Sequence, residues 1–203
     1  MKIVVVDYGM GNLKSICSVL KYLSVDEVVL SNDFYTIKES DKILLPGVGS
    51  FSKAMEKINK LGLRQILDEV ILIDKKPILG ICLGMQILCN YSEEGGKSKG
   101  LGYINAECKK FNIKDLKVPH VGFNQVTGHH NSKLYGGLNG KNDFYFTHSY
   151  RLQSNENLNQ SICNYGEDFI ASYEKGNIAG VQFHPELSQT NGLKLIKNFI
   201  ENF

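Results

Sequence analysis

Cys82 stands in a sequence context that suits a nucleophile. It is the centre of Gly80-Ile81-Cys82-Leu83-Gly84, between an apolar run that predicts a strand and a run with helical spacing. A tight strand-to-helix turn holds a nucleophile outward, and the flanking glycines make room for it. The start of the helix favours the thiolate, which is the reactive form. The N–H of Leu83 could then donate to an oxyanion. On these five residues alone, a buried cysteine in a glycine-rich turn is an equal alternative.

His184 and Glu186 offer a base and a carboxylate at the end of a second apolar run, in Gly180-Val181-Gln182-Phe183-His184-Pro185-Glu186. In an extended chain, residues two apart face the same side. A carboxylate beside an imidazole fixes its tautomer and stabilises the imidazolium. Cysteine, histidine and carboxylate together are the set that acyl transfer through a thioester needs. A surface turn without chemistry is the better interpretation of this motif alone, but the motif and the cysteine turn together favour a catalytic triad.

The remaining cysteines and histidines carry weaker signals. The chain has five cysteines, an odd number, and no Cys-x-x-Cys pair, so we expect no disulfide framework and no metal site. His129 and His130 lie in a polar stretch that predicts a solvated loop. His120 and His148 suit either a site or a satisfied structural position, and the sequence does not decide between them.

Composition predicts an ordinary globular protein. A length of 203 residues fits a single domain spanning residues 1–203, and 42% of the residues are hydrophobic. The 23 Lys and Arg nearly balance the 21 Asp and Glu, with no basic block, so nucleic acid is an unexpected partner. The first apolar run is too short for a signal peptide, and no run is long enough to span a bilayer. We therefore expect a cytoplasmic protein without a membrane partner.

The first half alternates strand-like with helix-like runs. Short apolar runs predict strands at residues 2–7, 27–30, 42–45 and 77–81. Helical spacing predicts helices at residues 13–23, 51–60, 63–73 and 83–89, the first capped by Asn12. This alternation is typical of a parallel sheet covered on both faces. Ligands of such sheets bind beyond the carboxyl ends of the strands, so the loops after Asp7, Leu45 and Ile81 should share one edge.

The second half predicts a different architecture. Residues 92–102 are rich in Gly, Glu, Ser and Lys and predict an exposed loop. Strand-like runs follow at residues 103–111, 144–152, 162–165, 170–174 and 178–183. The last two flank the turn Lys175-Gly176-Asn177 and predict a hairpin. A helix at residues 192–203 completes the pattern.

The two motifs Gly-Ile-Cys82-Leu-Gly-Met-Gln and His184-Pro-Glu186 resemble those of a known family, the class I glutamine amidotransferases. More narrowly the chain is similar to their HisH-type members, the glutaminase subunits of imidazole glycerol phosphate synthase. The narrower resemblance rests on segments that run from the first strand to the last helix: Asp7-Tyr8-Gly9-Met10-Gly11-Asn12, Pro46-Gly47-Val48-Gly49-Ser50-Phe51, Ser92-Glu93-Glu94-Gly95, Pro119-His120-Val121-Gly122-Phe123-Asn124 and Phe146-Thr147-His148-Ser149-Tyr150.

The resemblance implies an α/β fold, a flavodoxin-like parallel sheet flanked by helices with an additional antiparallel β section. It implies that Cys82 attacks the glutamine side-chain amide, that His184 transfers protons and that Glu186 orients His184. It also implies a second oxyanion donor, opposite Leu83, from the N–H of Val48 or Gly49. Gln86 and Glu94 would hold the amino-acid head group, in a pocket also lined by Gly49, Ser149 and Tyr150. No cofactor is implied.

The partner implied by the resemblance is a HisF-type (β/α)8-barrel cyclase, which would form a heterodimer with this chain and receive its ammonia. Asn12, Phe123 and Tyr145 match positions at or near that docking face. Two positions depart from the family pattern: Phe123 stands where Trp is usual, and Leu187 stands where Lys is usual. The departures leave a second acceptor open, a surface-polysaccharide sugar served by a paralogous subunit. A cysteine hydrolase or peptidase on the same scaffold is a further alternative, opposed by Gln86, Glu94 and the loop at residues 46–49. An inactive binding module is another, opposed by the intact triad residues.

Overall fold

A large mixed sheet forms the centre of the protein in the computed structural model, which describes residues 1–138 and 142–203. Within these ranges nine strands form the main sheet and four form a second one. The strands of the main sheet, in spatial order, are β2 (Glu27–Ser31), β1 (Lys2–Val6), β3 (Lys42–Leu45), β4 (Ile78–Ile81), β13 (Ile178–Val181), β12 (Asp168–Lys175), β11 (Ser161–Asn164), β8 (His120–Thr127) and β9 (Asp143–His148). Those of the second sheet are β10 (Tyr150–Gln153), β7 (Glu107–Lys110), β5 (Tyr91–Ser92) and β6 (Ser98–Lys99).

The strands from β2 to β13 run parallel, as the alternation of elements predicts. Their carboxyl ends therefore lie along one edge of the sheet. The hydroxyl of Tyr8, after β1, donates to the carbonyl oxygen of Pro46, after β3, at 2.7 Å. A Cβ on Gly84, after β4, would lie 1.7 Å from the carbonyl oxygen of Leu45. The three predicted loops do meet at one edge.

Successive residues of the parallel strands point to opposite faces, and each face is covered by helices. On one face Val4, Ile43 and Ile78 pack with α2 (Phe34–Lys38), α3 (Phe51–Lys60), α4 (Leu63–Leu67) and α5 (Leu83–Ile87). On the other, Ile3, Leu44 and Leu79 pack with α1 (Leu13–Tyr22) and α6 (Gln189–Asn202). Both layers are apolar because these strands are buried on both sides. The predicted fold class is confirmed, and the sheet holds the loops after β1, β3 and β4 in place.

The antiparallel section begins at the hairpin of β12 and β13, which pair from Ser172 with Val181 to Lys175 with Ile178. β11, β8 and β9 then extend the sheet antiparallel to one another. The predicted hairpin is therefore confirmed.

Three predicted elements of the second half were wrong in extent. The predicted strand at residues 144–152 is two strands in different sheets, β9 and β10, separated at Ser149. Of residues 103–111, only β7 (Glu107–Lys110) is a strand. The predicted exposed loop at residues 92–102 contains the pair of β5 and β6, and Ser92 is fully buried.

The helices also differ from their predicted bounds. Residues 63–73 form α4 followed by a π-helical segment, Asp68–Ile73, and the last helix begins earlier, at Gln189. The short helix α2 was not predicted; Asp33 caps it by accepting a hydrogen bond from the N–H of Thr36 at 2.9 Å. No helix in the described parts of the chain is long and apolar enough to cross a membrane.

Candidate active site

Cys82 lies at a sharp turn between β4 and α5, with φ +54° and ψ −112°. Such backbone angles are strained for a residue with a side chain and are typical of functional positions. Two glycines make the turn feasible. A Cβ on Gly80 would lie 2.8 Å from backbone atoms of Met85, and one on Gly84 would overlap the carbonyl of Leu45. The predicted turn is therefore present, and it places the sulfur at the edge where the loops meet.

The register of two neighbouring strands places His184 beside Cys82. β13 lies beside β4 with Gly180 opposite Gly80 and Val181 opposite Ile81. The N–H of Cys82 continues this ladder by donating to the carbonyl oxygen of Val181 at 2.8 Å. Beyond the strand, the N–H of His184 donates to the carbonyl oxygen of Tyr145 at 2.8 Å. The residues after β13 are thus fixed beside the cysteine turn.

The imidazole of His184 is oriented by Glu186, whose Oε1 lies 2.9 Å from His184 Nδ1. Asn12 Nδ2 donates to the same carboxylate oxygen at 3.3 Å. Asn12 occupies the N-cap position of α1 as predicted, but its side chain makes no capping hydrogen bond. Glu186 is fully buried at its side chain, which strengthens these contacts because the surroundings are poorly polarisable.

Within the described residues, His184 Nε2 is buried and has no hydrogen-bond partner. The nitrogen opposite Nδ1 is therefore available for proton transfer. Burial opposes the charged imidazolium, but interactions with Cys82 and Glu186 outweigh it and raise the pKa of His184 to about 10. A protonated His184 beside an anionic sulfur is the arrangement that a cysteine nucleophile requires.

The predicted oxyanion donors are only partly available in this conformation. The N–H of Leu83 donates to the carbonyl oxygen of Gly47 at 3.3 Å. Gly49 adopts φ +101°, and Val48 is 42% exposed. Gly47 itself is closely confined, since a Cβ there would lie 2.6 Å from the hydroxyl of Tyr8. The Gly47 carbonyl must move before Leu83 can donate to a ligand.

A pocket of about 320 Å³ opens at this turn. Its lining includes all the predicted substrate-binding residues and two members of the predicted triad: Val48, Gly49, Cys82, Leu83, Gln86, Glu94, Pro119, Thr147, His148, Ser149, Tyr150 and His184. The structure thus brings together residues from both halves of the sequence. Glu186 stands behind His184, outside the lining.

Gln86 and Glu94 present acceptor atoms to the pocket. Gln86 Nε2 donates to the carbonyl oxygen of Tyr150 at 2.9 Å and to Oε1 of Gln182 at 2.8 Å. Both amide hydrogens are used, so Gln86 has only its carbonyl oxygen left for a ligand. Glu94 Oε2 accepts from the N–H of Phe51 at 2.8 Å, which anchors the carboxylate at the start of α3. An amide oxygen and a carboxylate together suit a ligand ammonium.

Comparison with known proteins decides the family. The family described as Glutamine amidotransferase class-I matches residues 4–203. The chain is a class I glutamine amidotransferase.

Its curated relatives narrow the assignment to the HisH group of that family. The chain is 42% identical over 198 residues to imidazole glycerol phosphate synthase subunit HisH 1 of Campylobacter jejuni, covering 97% of this chain and 98% of the relative. It is also 42% identical to subunit HisH of Aquifex aeolicus, covering 98% and 96% of the two chains. The predicted family is confirmed, and the chain belongs to the HisH group.

Solved structures support the fold. A structure described as a glutamine amidotransferase aligns with a TM-score of 0.77 at 17% identity, covering 98% of this chain and 97% of that one. A glutamine amidotransferase from Thermotoga maritima aligns with a TM-score of 0.66 at 15% identity, covering 99% and 81%. At these identities the likeness shows a shared fold.

The residues predicted to face a partner of the amidotransferase lie next to His184 or Glu186, or are paired with a residue that does. Phe123 and Tyr145 are paired across β8 and β9, with ring centroids 5.6 Å apart, and Phe123 is 51% exposed. Leu187 ends the short 3₁₀ turn Pro185–Leu187 after His184 and is 43% exposed. That turn packs against both α1 and β9. Asn12 differs from the other three because its amide is directed toward Glu186.

The sequence alone indicated no role for Gln182, and it did not distinguish a site role from a structural role for His120 and His148. Gln182 is fully buried beside Cys82, and His148 lines the pocket with His120 behind it. A polar residue inside the apolar run before His184 was the available signal for Gln182, because buried amides need partners.

The other cysteines have no partner of their own kind, and all five are free thiols. Among the described residues, no group of three or more His, Cys, Asp or Glu side chains could hold a metal ion.

Proposed function

We propose that this amidotransferase hydrolyses glutamine to glutamate and ammonia with Cys82, His184 and Glu186. The observation that carries the proposal is that the strained Cys82 turn meets His184, which Glu186 orients from behind, in one pocket. That pocket also presents the acceptor atoms of Gln86 and Glu94. Nucleophile, base and recognition groups are then arranged around one volume of small-molecule size.

The first half-reaction transfers the glutamyl group to sulfur. His184 holds the proton of the Cys82 thiol, and the thiolate attacks the side-chain amide carbon of glutamine. The carbonyl π electrons move to oxygen, and backbone N–H groups of Leu83 and of Val48 or Gly49 stabilise that oxyanion. His184 then donates its proton to the leaving nitrogen. Ammonia departs, and a thioester on Cys82 remains.

The second half-reaction releases glutamate. Neutral His184 takes a proton from water, and the resulting hydroxide attacks the thioester carbon. Collapse of the tetrahedral intermediate breaks the carbon–sulfur bond and restores the thiolate and the imidazolium. Glu186 accepts from Nδ1 and stabilises the imidazolium.

Recognition of glutamine follows from the donors and acceptors left free in the pocket. The carbonyl oxygen of Gln86 and the carboxylate of Glu94 accept from the α-ammonium group. Ser149 and Tyr150 line the same pocket and complete the site for the head group, together with Gly49. The side-chain amide then extends toward Cys82.

The acceptor of ammonia is a second subunit. The curated relatives are named subunits of imidazole glycerol phosphate synthase. By this relationship the partner is a HisF-type (β/α)8-barrel cyclase in a cytoplasmic heterodimer, and the products are imidazole glycerol phosphate and aminoimidazole carboxamide ribotide. Phe123, Tyr145, Leu187 and Asn12 then lie at or near the docking face.

Leu187 favours a second candidate, with the same chemistry but a different acceptor. It is half-exposed and uncharged beside the triad, at a position where the family usually carries Lys. A neutral residue there suits a partner that lacks the matching acid. A paralogous amidotransferase of surface-polysaccharide sugars is such a partner.

Replacement of the nucleophile tests the chemistry. Cys82→Ala should abolish glutamine-dependent product formation with the partner present, while synthesis from added ammonium salts continues. Cys17→Ala, the same change at a half-buried cysteine of α1, is the control and should retain both activities. Full glutamine-dependent activity of Cys82→Ala would refute the assignment. Running the assay with a histidine-pathway cyclase and with a sugar amidotransferase separates the two acceptors.

A further inference from the structure

Gln182 lies against the sulfur of Cys82. Its side chain is fully buried, and its Nε2 donates to Cys82 Sγ at 3.8 Å. The position follows from the strand register, because Gln182 comes directly after the pair of Val181 with Ile81, as Cys82 does on the other strand. His184 lies two residues further on, so both side chains approach the sulfur from β13 and its extension.

The orientation of the Gln182 amide is fixed by its other neighbour. Gln182 Oε1 lies 2.8 Å from Gln86 Nε2, and Gln86 Nε2 also lies 2.9 Å from the carbonyl oxygen of Tyr150. A backbone carbonyl only accepts, so the nitrogen of Gln86 must face it. The atom of Gln182 next to the Gln86 nitrogen must therefore be the acceptor, Oε1. The Gln182 nitrogen consequently faces the sulfur of Cys82.

We propose that Gln182 is a further catalytic residue, which stabilises the Cys82 thiolate through its amide N–H. A hydrogen bond to the charged form favours that form, and burial without such a bond opposes it. The chain from Gln86 through Gln182 to Cys82 also joins the head-group site to the nucleophile. A glutamine ammonium on the carbonyl oxygen of Gln86 polarises that amide and strengthens its donation to Gln182. The proposal rests on the proposed glutaminase function.

Alkylation of Cys82 by iodoacetamide tests the role without turnover. The rate is measured across pH on the intact chain, by mass spectrometry of the peptide that contains Cys82. Gln182→Met keeps the length of the side chain and removes the amide. We expect the midpoint of rate against pH to rise by about one unit and alkylation at pH values below that midpoint to slow about tenfold, as for a lost hydrogen bond to a charge. Gln65→Met, on the exposed face of α4, is the matched control and should leave both values unchanged.

Two further variants separate an effect on sulfur charge from a packing effect. Gln182→Glu keeps the acceptor for Gln86 but places an oxygen against the sulfur, so it should slow alkylation at least as much as Gln182→Met. Gln86→Met should shift the midpoint in the same direction, and the double variant should shift it no further than Gln182→Met alone. If Gln182→Met fails to fold by circular dichroism, Gln182→Glu and Gln86→Met provide the same readout.

Unchanged alkylation midpoints in folded Gln182→Met or Gln182→Glu would overturn the proposal. So would a milder effect of Gln182→Glu than of Gln182→Met, since a packing role predicts that order. Because alkylation needs neither glutamine nor a partner, this result is independent of the glutaminase assay. If the chain hydrolyses glutamine but the alkylation midpoint of the Gln182 variants is unshifted, the proposed function stands and the role of Gln182 is refuted.

Discussion

His120 and His148 are joined by a hydrogen bond between their rings, with His120 Nδ1 lying 3.1 Å from His148 Nε2. His148 Nδ1 lies 2.8 Å from the carbonyl oxygen of Tyr150, so Nδ1 must carry the proton and Nε2 must accept. His120 therefore donates from Nδ1, and its own Nε2 accepts from Asn124 Nδ2 at 3.4 Å. Both rings are neutral in this arrangement, and either one would lose an acceptor on protonation.

Acid should destabilise the protein through this pair. Burial lowers the pKa of His120 to about 4 and that of His148 to about 3, against 6.5 in the unfolded chain. The unfolded state therefore binds more protons below pH 6.5, and stability is lost as the pH falls from 6.5 toward 4. Between pH 7 and pH 5 each histidine accounts for about 2 kcal/mol. Urea unfolding measures the free energy of unfolding at both pH values. The loss between pH 7 and pH 5 should be smaller by this amount in His120→Gln than in the unchanged protein.

The control for that measurement is His130→Gln, which removes a histidine from the polar loop at residues 129–132 instead of from the core. An equal loss of stability between pH 7 and pH 5 in His120→Gln and in the unchanged protein would contradict the prediction.

Asn12 should matter for turnover more than for the helix that it begins. Its side chain contacts Glu186 at 3.3 Å and does not cap α1. Asn12→Ser retains a residue suited to the cap position but is too short to reach Glu186. We expect the glutaminase rate to fall severalfold, both alone and with the partner, while the free energy of unfolding changes by less than about 0.5 kcal/mol.

Asp33→Ala is the opposite case, because Asp33 does cap its helix. It should lower the free energy of unfolding through loss of the cap and leave turnover unchanged. If Asn12→Ser lowered the rate only in the complex, Asn12 would act in docking alone and its contact with Glu186 would have no role in catalysis.

The isolated chain should be a weak glutaminase. The N–H of Leu83 is engaged by the carbonyl oxygen of Gly47, so the oxyanion would lack one of its donors. Loss of one such donor costs about a hundredfold or more in rate. Glutaminase assays of the chain alone, with partner, and with partner plus acceptor ligand should rise in that order, with Cys82→Ala as the background. Equal rates in the three conditions would show that the loop does not limit the reaction.

Leu187→Lys should tighten binding to a histidine-pathway cyclase that carries an acid at the facing position. A buried acid without a cation costs about 1–3 kcal/mol, which corresponds to about 5-fold to 150-fold in affinity. Titration calorimetry compares the two chains, with Leu116→Lys as the control because Leu116 is equally exposed and lies in the segment before β8. Tight binding by the unchanged chain, unaffected by Leu187→Lys, would favour the histidine pathway directly.

The position of Cys82 at a strand end and the pairing of His184 with Glu186 could be predicted from local sequence, whereas the meeting of the two motifs was predicted only from the family resemblance, because it depends on the register of β13 on β4. Parallel strands bring their carboxyl ends to one edge, and a spacing of two keeps His184 and Glu186 together. Gln182 could not be assigned in this way. Its contact with Cys82 depends on which strands are neighbours and in what register, and neither the apolar run nor the motif contains that information.

β8 was missed because its pattern of exposure is inverted. His120 is buried in it, whereas Val121 and Phe123 are more than half exposed. Prediction from hydrophobicity expects the opposite alternation. β9 and β10 were merged for another reason, since only Ser149 separates the two strands along the chain although they belong to different sheets. A five-residue helix such as α2 is too short to show a helical period.

The register of β13 on β4 pairs residues a hundred positions apart along the chain. During synthesis the cysteine turn leaves the ribosome well before the segment that carries His184. Non-local pairings of this kind form late because loop closure must precede them. The thiol of a growing chain is therefore without its base until β13 has inserted between β4 and β12, so hydrolysis of glutamine begins only in a chain whose central sheet is whole.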